Sequence, residues 1–268
     1  MKAKRKVDLL IIDPQNDFCD PSGSLYVAGA DQDMIRLASM VDRLGTKLHD
    51  IHSTLDSHHW VDISHPAFWV DSNGKNPNPL TVITEEDISN GIWRTRYPQF
   101  MNHAKKYTSE LKNGGKYLLC IWPPHCLIGT PGANVYPEFL NAISKWEKET
   151  VNNVNYVTKG SNFLTEHYSA VKAEVEDPND PFTQLNTQLI QTLQEVDEIV
   201  IAGQASSHCV KFTVTDIADN IGDEHIKKFV FLTDASSPVP GFENEADQFI
   251  QDMVARGMRT STTTEYLM

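Results

Sequence analysis

Three short apolar runs, each stopped abruptly by a polar or small residue, constrain what this chain can fold into more than any other feature. Val7 to Ile12 is mostly apolar, rich in branched residues, and ends at Asp13-Pro14. Glu198 to Ala202 ends at Gly203, and Phe229 to Leu232 ends at Thr233-Asp234. Runs of this length suit strands buried on both faces. Between them lie segments with helical spacing: Met34, Leu37, Met40, Val41 and Leu44 before Gly45; Leu185, Leu189 and Leu193; Val210, Val214, Ile217 and Ala218; Phe249, Met253 and Val254 before Gly257. Strands that alternate with helices predict an α/β fold around a parallel sheet with right-handed crossovers. Chemistry then belongs at the carboxyl ends of the strands.

Residues 66–116 break that rhythm. They open on Pro66, Asn73, Gly74 and Asn76 to Pro79, then offer one helix from about Pro98 to Lys112, stopped by Gly114-Gly115. About 50 residues is at the lower edge of independent stability, so the segment reads as an elaboration within a single domain spanning 1–268. The formal charge of -13, from 23 Lys plus Arg against 36 Asp plus Glu, argues against a surface that neutralises phosphates, and so against nucleic acid as a partner. No stretch approaches the roughly 20 apolar residues needed to span a bilayer. The basic start, Met1 to Lys6, is followed by too short an apolar run for a signal core. A soluble, unprocessed, cytoplasmic chain without membrane contact is the expectation, and its four cysteines are read for chemistry rather than as a disulfide framework.

Cys209 stands between a strand and a helix, in Gly203-Gln204-Ala205-Ser206-Ser207-His208-Cys209. There the helix dipole favours a thiolate and free backbone N–H groups can hold an oxyanion, although a buried cysteine can equally serve as a small hydrophobe. Asp13, at a strand's carboxyl end with Phe18 nearby, is either a proton shuttle of raised pKa or a turn cap. Lys159, after the strand-like Asn155 to Thr158, either compensates a thiolate and a carboxylate or sits in solvent.

Five of the ten histidines (His49, His52, His58, His59 and His65) fall within 17 residues, and Asp56 stands two before His58. On an extended segment that spacing points both side chains to one side, where they can converge on a metal ion; His65 and His125 are candidates to complete the set. Trp122-Pro123-Pro124-His125-Cys126 is stiff enough to hold an indole and an imidazole at set positions.

Together these segments resemble the isochorismatase-like cysteine hydrolases, and within them the nicotinamidases. The resemblance rests on VDLLIIDPQNDFC with Gly23-Ser24-Leu25, Asp56-Ser57-His58, WPPHCLIGTPGA, Lys159-Gly160 with Tyr168-Ser169-Ala170, and GQASSHCVKFT, in the family's order. It implies a three-layer Rossmann-like fold with a mostly parallel central sheet flanked by helices. It also implies a catalytic triad of Asp13, Lys159 and Cys209, and a divalent metal, zinc before iron or manganese, on Asp56, His58, His125 and a third histidine. That third ligand is His65 with a one-residue shift, or else His59. Ala205 and Cys209 are implied as oxyanion donors, with a cis bond between Gln204 and Ala205, and Phe18, Trp122 and Tyr168 as walls around a flat heteroaromatic ring. The implied reaction is hydrolysis of nicotinamide to nicotinate and ammonia through a thioester on Cys209, and, as several relatives assemble, the resemblance implies a homo-oligomer.

Between His65 and Trp122 lie 56 residues, more than such enzymes usually carry there. The segment is expected over or beside the pocket. If Arg94 and Arg96 face it, an anionic substrate becomes credible. The alternatives are a family amidase acting on another carboxamide or a carbamoyl compound, and a non-catalytic binding or scaffold protein on the same fold.

Overall fold

The computed structural model describes residues 5–268; of the basic N-terminal stretch, residues 1–4 lie outside them. Six strands, β1 (Val7–Ile12), β2 (Asp50–Asp56), β3 (Asn155–Lys159), β4 (Glu198–Gly203), β5 (Phe229–Leu232) and β6 (Arg259–Ser261), form one sheet in the order β6-β5-β4-β1-β2-β3. Every pairing in it is parallel. β1, β4 and β5 are buried along their whole length, which is why their sequences read as mostly apolar runs, interrupted only by the buried Asp8 and Glu198.

Alternation along each strand divides the core into two layers. Leu9, Ile11, Val200, Ala202, Val230 and Leu232 face α1 (Ala30–Leu44) and α3 (Pro137–Thr150). Leu10, Ile12, Ile199, Ile201, Phe229 and Phe231 face α4 (Thr187–Gln194), α5 (Cys209–Ile221) and α6 (Glu243–Ala255). The predicted helical faces are the buried ones with two exceptions: Leu185 precedes α4, and Val254 is exposed on α6. Leu185 still packs against the same core from the loop before the helix, whereas Val254 sits one residue past the buried Met253 and turns to solvent.

Residues 66–116 carry a small core of their own, in which Phe68, Trp69, Ile83, Ile88, Tyr107 and Leu111 pack with Ile63, Leu119 and Ile121. Its main helix, α2, runs Met101–Asn113 after a 3-10 turn at Pro98–Phe100 and ends at Gly114-Gly115, close to the expected span. Trp69–Val70 pairs antiparallel with Arg94–Thr95, so that Thr95 points inward and Arg94 outward. The segment does not lie over the pocket. It packs behind the stretch 163–175, against Phe163, Leu164 and Val175, because its apolar residues bury one another and turn its charges to solvent.

Candidate active site

The parallel register delivers the site. Ile12 pairs with Gly203, and Asp56 with Lys159, so Asp13, Asp56, Lys159 and the loop to Cys209 emerge together at the carboxyl edge of four adjacent strands. Two glycines allow the backbones to come this close. A Cβ on Gly203 (φ +117°) would lie 2.1 Å from the Ile12 carbonyl oxygen, and one on Gly160 (φ +82°) would lie 2.7 Å from Asp56 Oδ1. Gln15 fixes Asp56 from the other side: its amide Nε2 donates to the Asp56 carbonyl and its Oε1 accepts the Asp56 N–H, both at 2.7 Å.

Lys159, fully enclosed, is the hub. Its Nζ is 3.0 Å from Asp13 Oδ2, 3.1 Å from Asp56 Oδ1 and 3.5 Å from Cys209 Sγ, and donates to the His167 carbonyl at 2.8 Å. Thr54 Oγ1 donates to Asp13 Oδ1 at 2.5 Å and accepts the Asp13 N–H at 3.0 Å. Burial opposes charge on Lys159, but Asp13 and Asp56 outweigh it and hold the ammonium well above the ordinary lysine range. Burial raises the Asp13 pKa, with Lys159 pulling against it. Burial also pushes the Cys209 thiol well above its ordinary value against the pull of Lys159, and the neighbouring Asp13 carboxylate adds to the rise. The helix-end argument for a resting thiolate is thus overridden by burial: the arrangement holds a thiol beside a carboxylate that can take its proton. Cys209 opens α5, where first-turn N–H groups lack intrahelical partners, and the Gln204–Ala205 bond is cis.

Asp56 is shared with a second cluster. Its Oδ2 is 3.1 Å from His58 Nε2 and 3.4 Å from His125 Nε2. Ligand nitrogens of His58, His65 and His125 lie within 4.8 Å of one another, all buried. Each of the three rings has its Nδ1 on an oxygen: Asp62 Oδ2 at 3.0 Å for His58, the His59 carbonyl at 3.2 Å for His65 and the Pro123 carbonyl at 2.8 Å for His125. With an ion bound, that outer shell would set the tautomer that leaves each Nε2 as a lone-pair donor, and His65 Nε2 is buried without a partner. Burial and the neighbouring imidazoles lower the His65 pKa to about 3, in keeping with a neutral ligand. Three imidazoles and a carboxylate converging on one point fit a borderline divalent ion. His59 is exposed and contributes only its carbonyl. His49 and His52 stand at the opposite end of the strands, paired with Asp8 at 2.8 and 3.0 Å.

A narrow pocket opens onto both clusters, lined by Phe18, Trp122, Tyr168, Ala205 and Cys209 with Asp56 and His125 on the cluster side. The Trp122 indole N–H donates to the Tyr168 hydroxyl at 3.0 Å, which locks two of the aromatic walls together. No described residue of 66–116 lines it. Arg94 and Arg96 are both exposed, and Arg96 donates to Asn76 Oδ1 at 2.9 Å.

No protein-family model matches the chain. Among characterised proteins it is similar to the nicotinamidase of Saccharomyces cerevisiae, 24% identical over 215 residues covering 79% of this chain and 81% of that protein. It is 28% identical to the nicotinamidase of Acinetobacter baylyi, over 81% of this chain and 76% of that one. Among solved structures, the yeast nicotinamidase Pnc1p superposes with a TM-score of 0.66 at 20% identity, covering 95% of this chain and 98% of that one. The pyrazinamidase of Pyrococcus horikoshii in complex with zinc gives 0.55 at 18%, over 96% and 99%. These likenesses show the fold that the chain shares with the nicotinamidases: a mostly parallel six-stranded sheet flanked by helices.

Two further pocket residues carry little signal in the sequence. Glu166 and His208 both line the pocket. His208 is adjacent to Cys209, which could have drawn attention to it, but its setting is made by Tyr117, Trp122, Tyr168 and Phe242, whose rings lie 4.7 to 5.4 Å from it. Burial lowers its pKa to about 3, so the ring is neutral. Glu166 sits in an irregular stretch with its Oε1 accepting the His167 N–H at 2.8 Å and lying 3.9 Å from His58 Nε2.

Proposed function

We propose that this protein is a metal-containing cysteine amidohydrolase that converts nicotinamide to nicotinate and ammonia through a thioester on Cys209. The observation that carries the reading is the meeting of Cys209, Lys159 and Asp13 with the aspartate-histidine cluster at one aromatic pocket. The similarity to nicotinamidases from yeast and a bacterium supports the substrate class.

In the proposed reaction, Asp13 accepts the Cys209 proton as Sγ attacks the carboxamide carbon. Lys159 holds the charges of Asp13 and the forming thiolate in balance. The oxyanion is received by the N–H groups of Ala205 and Cys209. Asp13 returns its proton to the departing nitrogen, the C–N bond breaks and ammonia leaves. Water, deprotonated by Asp13, then attacks the thioester; the C–S bond breaks, releasing the acid, and Cys209 regains its proton. Asp56, His58, His65 and His125 would hold one divalent ion, zinc by analogy with the zinc-bound pyrazinamidase, whose chemistry when bound is Lewis-acid capture of the ring nitrogen. Phe18, Trp122 and Tyr168 clamp the flat ring between apolar faces.

An anionic substrate is disfavoured, since Asp56 and Glu166 line the pocket and neither Arg94 nor Arg96 does. Four free cysteines suit a reducing cytoplasm. The test is ammonia release from nicotinamide by the purified protein and by Cys209→Ala. Turnover that survives the substitution removes Cys209 as nucleophile, and no turnover by the parent protein on nicotinamide removes the substrate.

A further inference from the structure

We propose that Tyr107, on helix α2 of the inserted segment, is a positioning residue for the Lys159 ammonium. The proposal deepens the amidohydrolase reading and rests on it for the meaning of Lys159. Its geometry is a short relay through the irregular stretch that follows β3. The Glu166 N–H donates to the Tyr107 hydroxyl at 3.0 Å, in a buried setting across 59 residues of sequence. The Glu166 side chain turns back so that Oε1 accepts the His167 N–H at 2.8 Å. The next carbonyl, that of His167, accepts from Lys159 Nζ at 2.8 Å. Two residues therefore separate the tyrosine hydroxyl from the ammonium that touches Asp13 and Cys209.

The stretch needs such an anchor. Between Lys159 and the 3-10 turn at Pro181–Thr183 the chain forms no helix or strand that would fix its carbonyls. A second bond from the same helix, His103 Nε2 to the Leu164 carbonyl at 2.7 Å, holds the stretch two residues earlier. Tyr107 itself is only 1% exposed and wedged among Trp69, Ala104 and Leu111, so its hydroxyl is a fixed point rather than a mobile one. The insertion, which contributes nothing to the pocket wall, thereby acts on the site from behind.

The experiment follows alkylation of Cys209 by iodoacetamide, read by mass spectrometry on the metal-loaded protein at one pH, because the thiolate is the reacting form and Lys159 favours it. Tyr107→Phe keeps the ring and removes the hydroxyl. The expected result is a rate on the order of tenfold slower at Cys209, well inside the roughly hundredfold that a 1 Å misplacement can cost. Glutathione added to the same sample, whose alkylation no substitution in the protein can alter, serves as the internal standard. In turnover, the loss should fall on kcat with KM little altered. Leu111→Ala, in the same core, should lower Tm while leaving Cys209 alkylation at the parent rate. An unchanged or faster rate at Cys209 in Tyr107→Phe, or an equal slowing in Leu111→Ala, overturns the proposal. Absence of nicotinamide turnover by the parent would instead strike the functional reading, with the alkylation comparison still deciding the role of Tyr107.

Discussion

Lys159 and Asp56 are register partners on adjacent strands, and their side chains meet at 3.1 Å while the other Asp56 oxygen faces His58 and His125. One carboxylate thus belongs to both clusters. Burial opposes its ionisation, but His58 and Lys159 together hold it well below the usual carboxylate range. Asp56→Asn should therefore do two things at once: lower metal content at least tenfold, as expected when a ligand is lost, and cut kcat a further hundredfold or so by unbalancing Lys159. Metal analysis beside ammonia release checks it. Loss of metal with kcat restored by excess metal would show that the two clusters are independent.

Lys159→Met should unfold the protein more readily as well as stop turnover. It leaves Asp13 and Asp56, 0% and 2% exposed, without their shared cation. Removing one partner from a buried charge set costs about 3–5 kcal/mol. Urea denaturation at neutral pH should show a lower midpoint with an unchanged slope.

The strands that carry the site were legible where burial is two-sided. Val7–Ile12 and Phe229–Leu232 read directly, and Asp13 follows from the first of them. β3 is an edge strand with Asn155, Tyr156 and Thr158 exposed, so only its short run and Lys159 stand out. β6, Arg259–Ser261, is polar and leaves no apolar trace. Helix α3 does carry a stripe, Phe139, Ala142, Ile143 and Trp146, that the reading of strand ends passes over. Glu166 is different in kind. Its burial depends on an insertion whose contacting hydroxyl is 59 residues away, a relationship that local pattern cannot express.

Gly203→Ala tests the close approach that the site depends on. The added methyl would meet the β1 backbone at 2.1 Å, on a residue whose φ of +117° is already hostile to a side chain. Backbone strain alone costs about 1–3 kcal/mol. Neither Ile12 nor the β4 strand, buried on both faces, can move aside cheaply. The variant should lose at least that much stability in chemical denaturation and should lose activity, whereas Gly129→Ala, whose added methyl meets nothing within 4 Å, should cost only its own backbone strain. Equal stability of the two would contradict the crowding at Ile12.

Glu174 predicts a pH dependence of folding that is separate from catalysis. Burial raises its pKa to about 7, with Lys116, 3.4 Å away, pulling partly against it and Asp216 adding to it. The ordinary value, 4.5, is what the unfolded chain has, so between about 4.5 and 7 the folded protein keeps a proton that the unfolded one gives up. Stability then falls as pH rises through that window, by up to ~3 kcal/mol for a shift of this size. Glu174→Gln removes the titration, so its stability should change less between pH 5 and pH 8, and the variant should overtake the parent protein at the alkaline end. Denaturation curves of both proteins at the two pH values decide the matter: a parent-like slope in Glu174→Gln would assign the pH dependence to other groups.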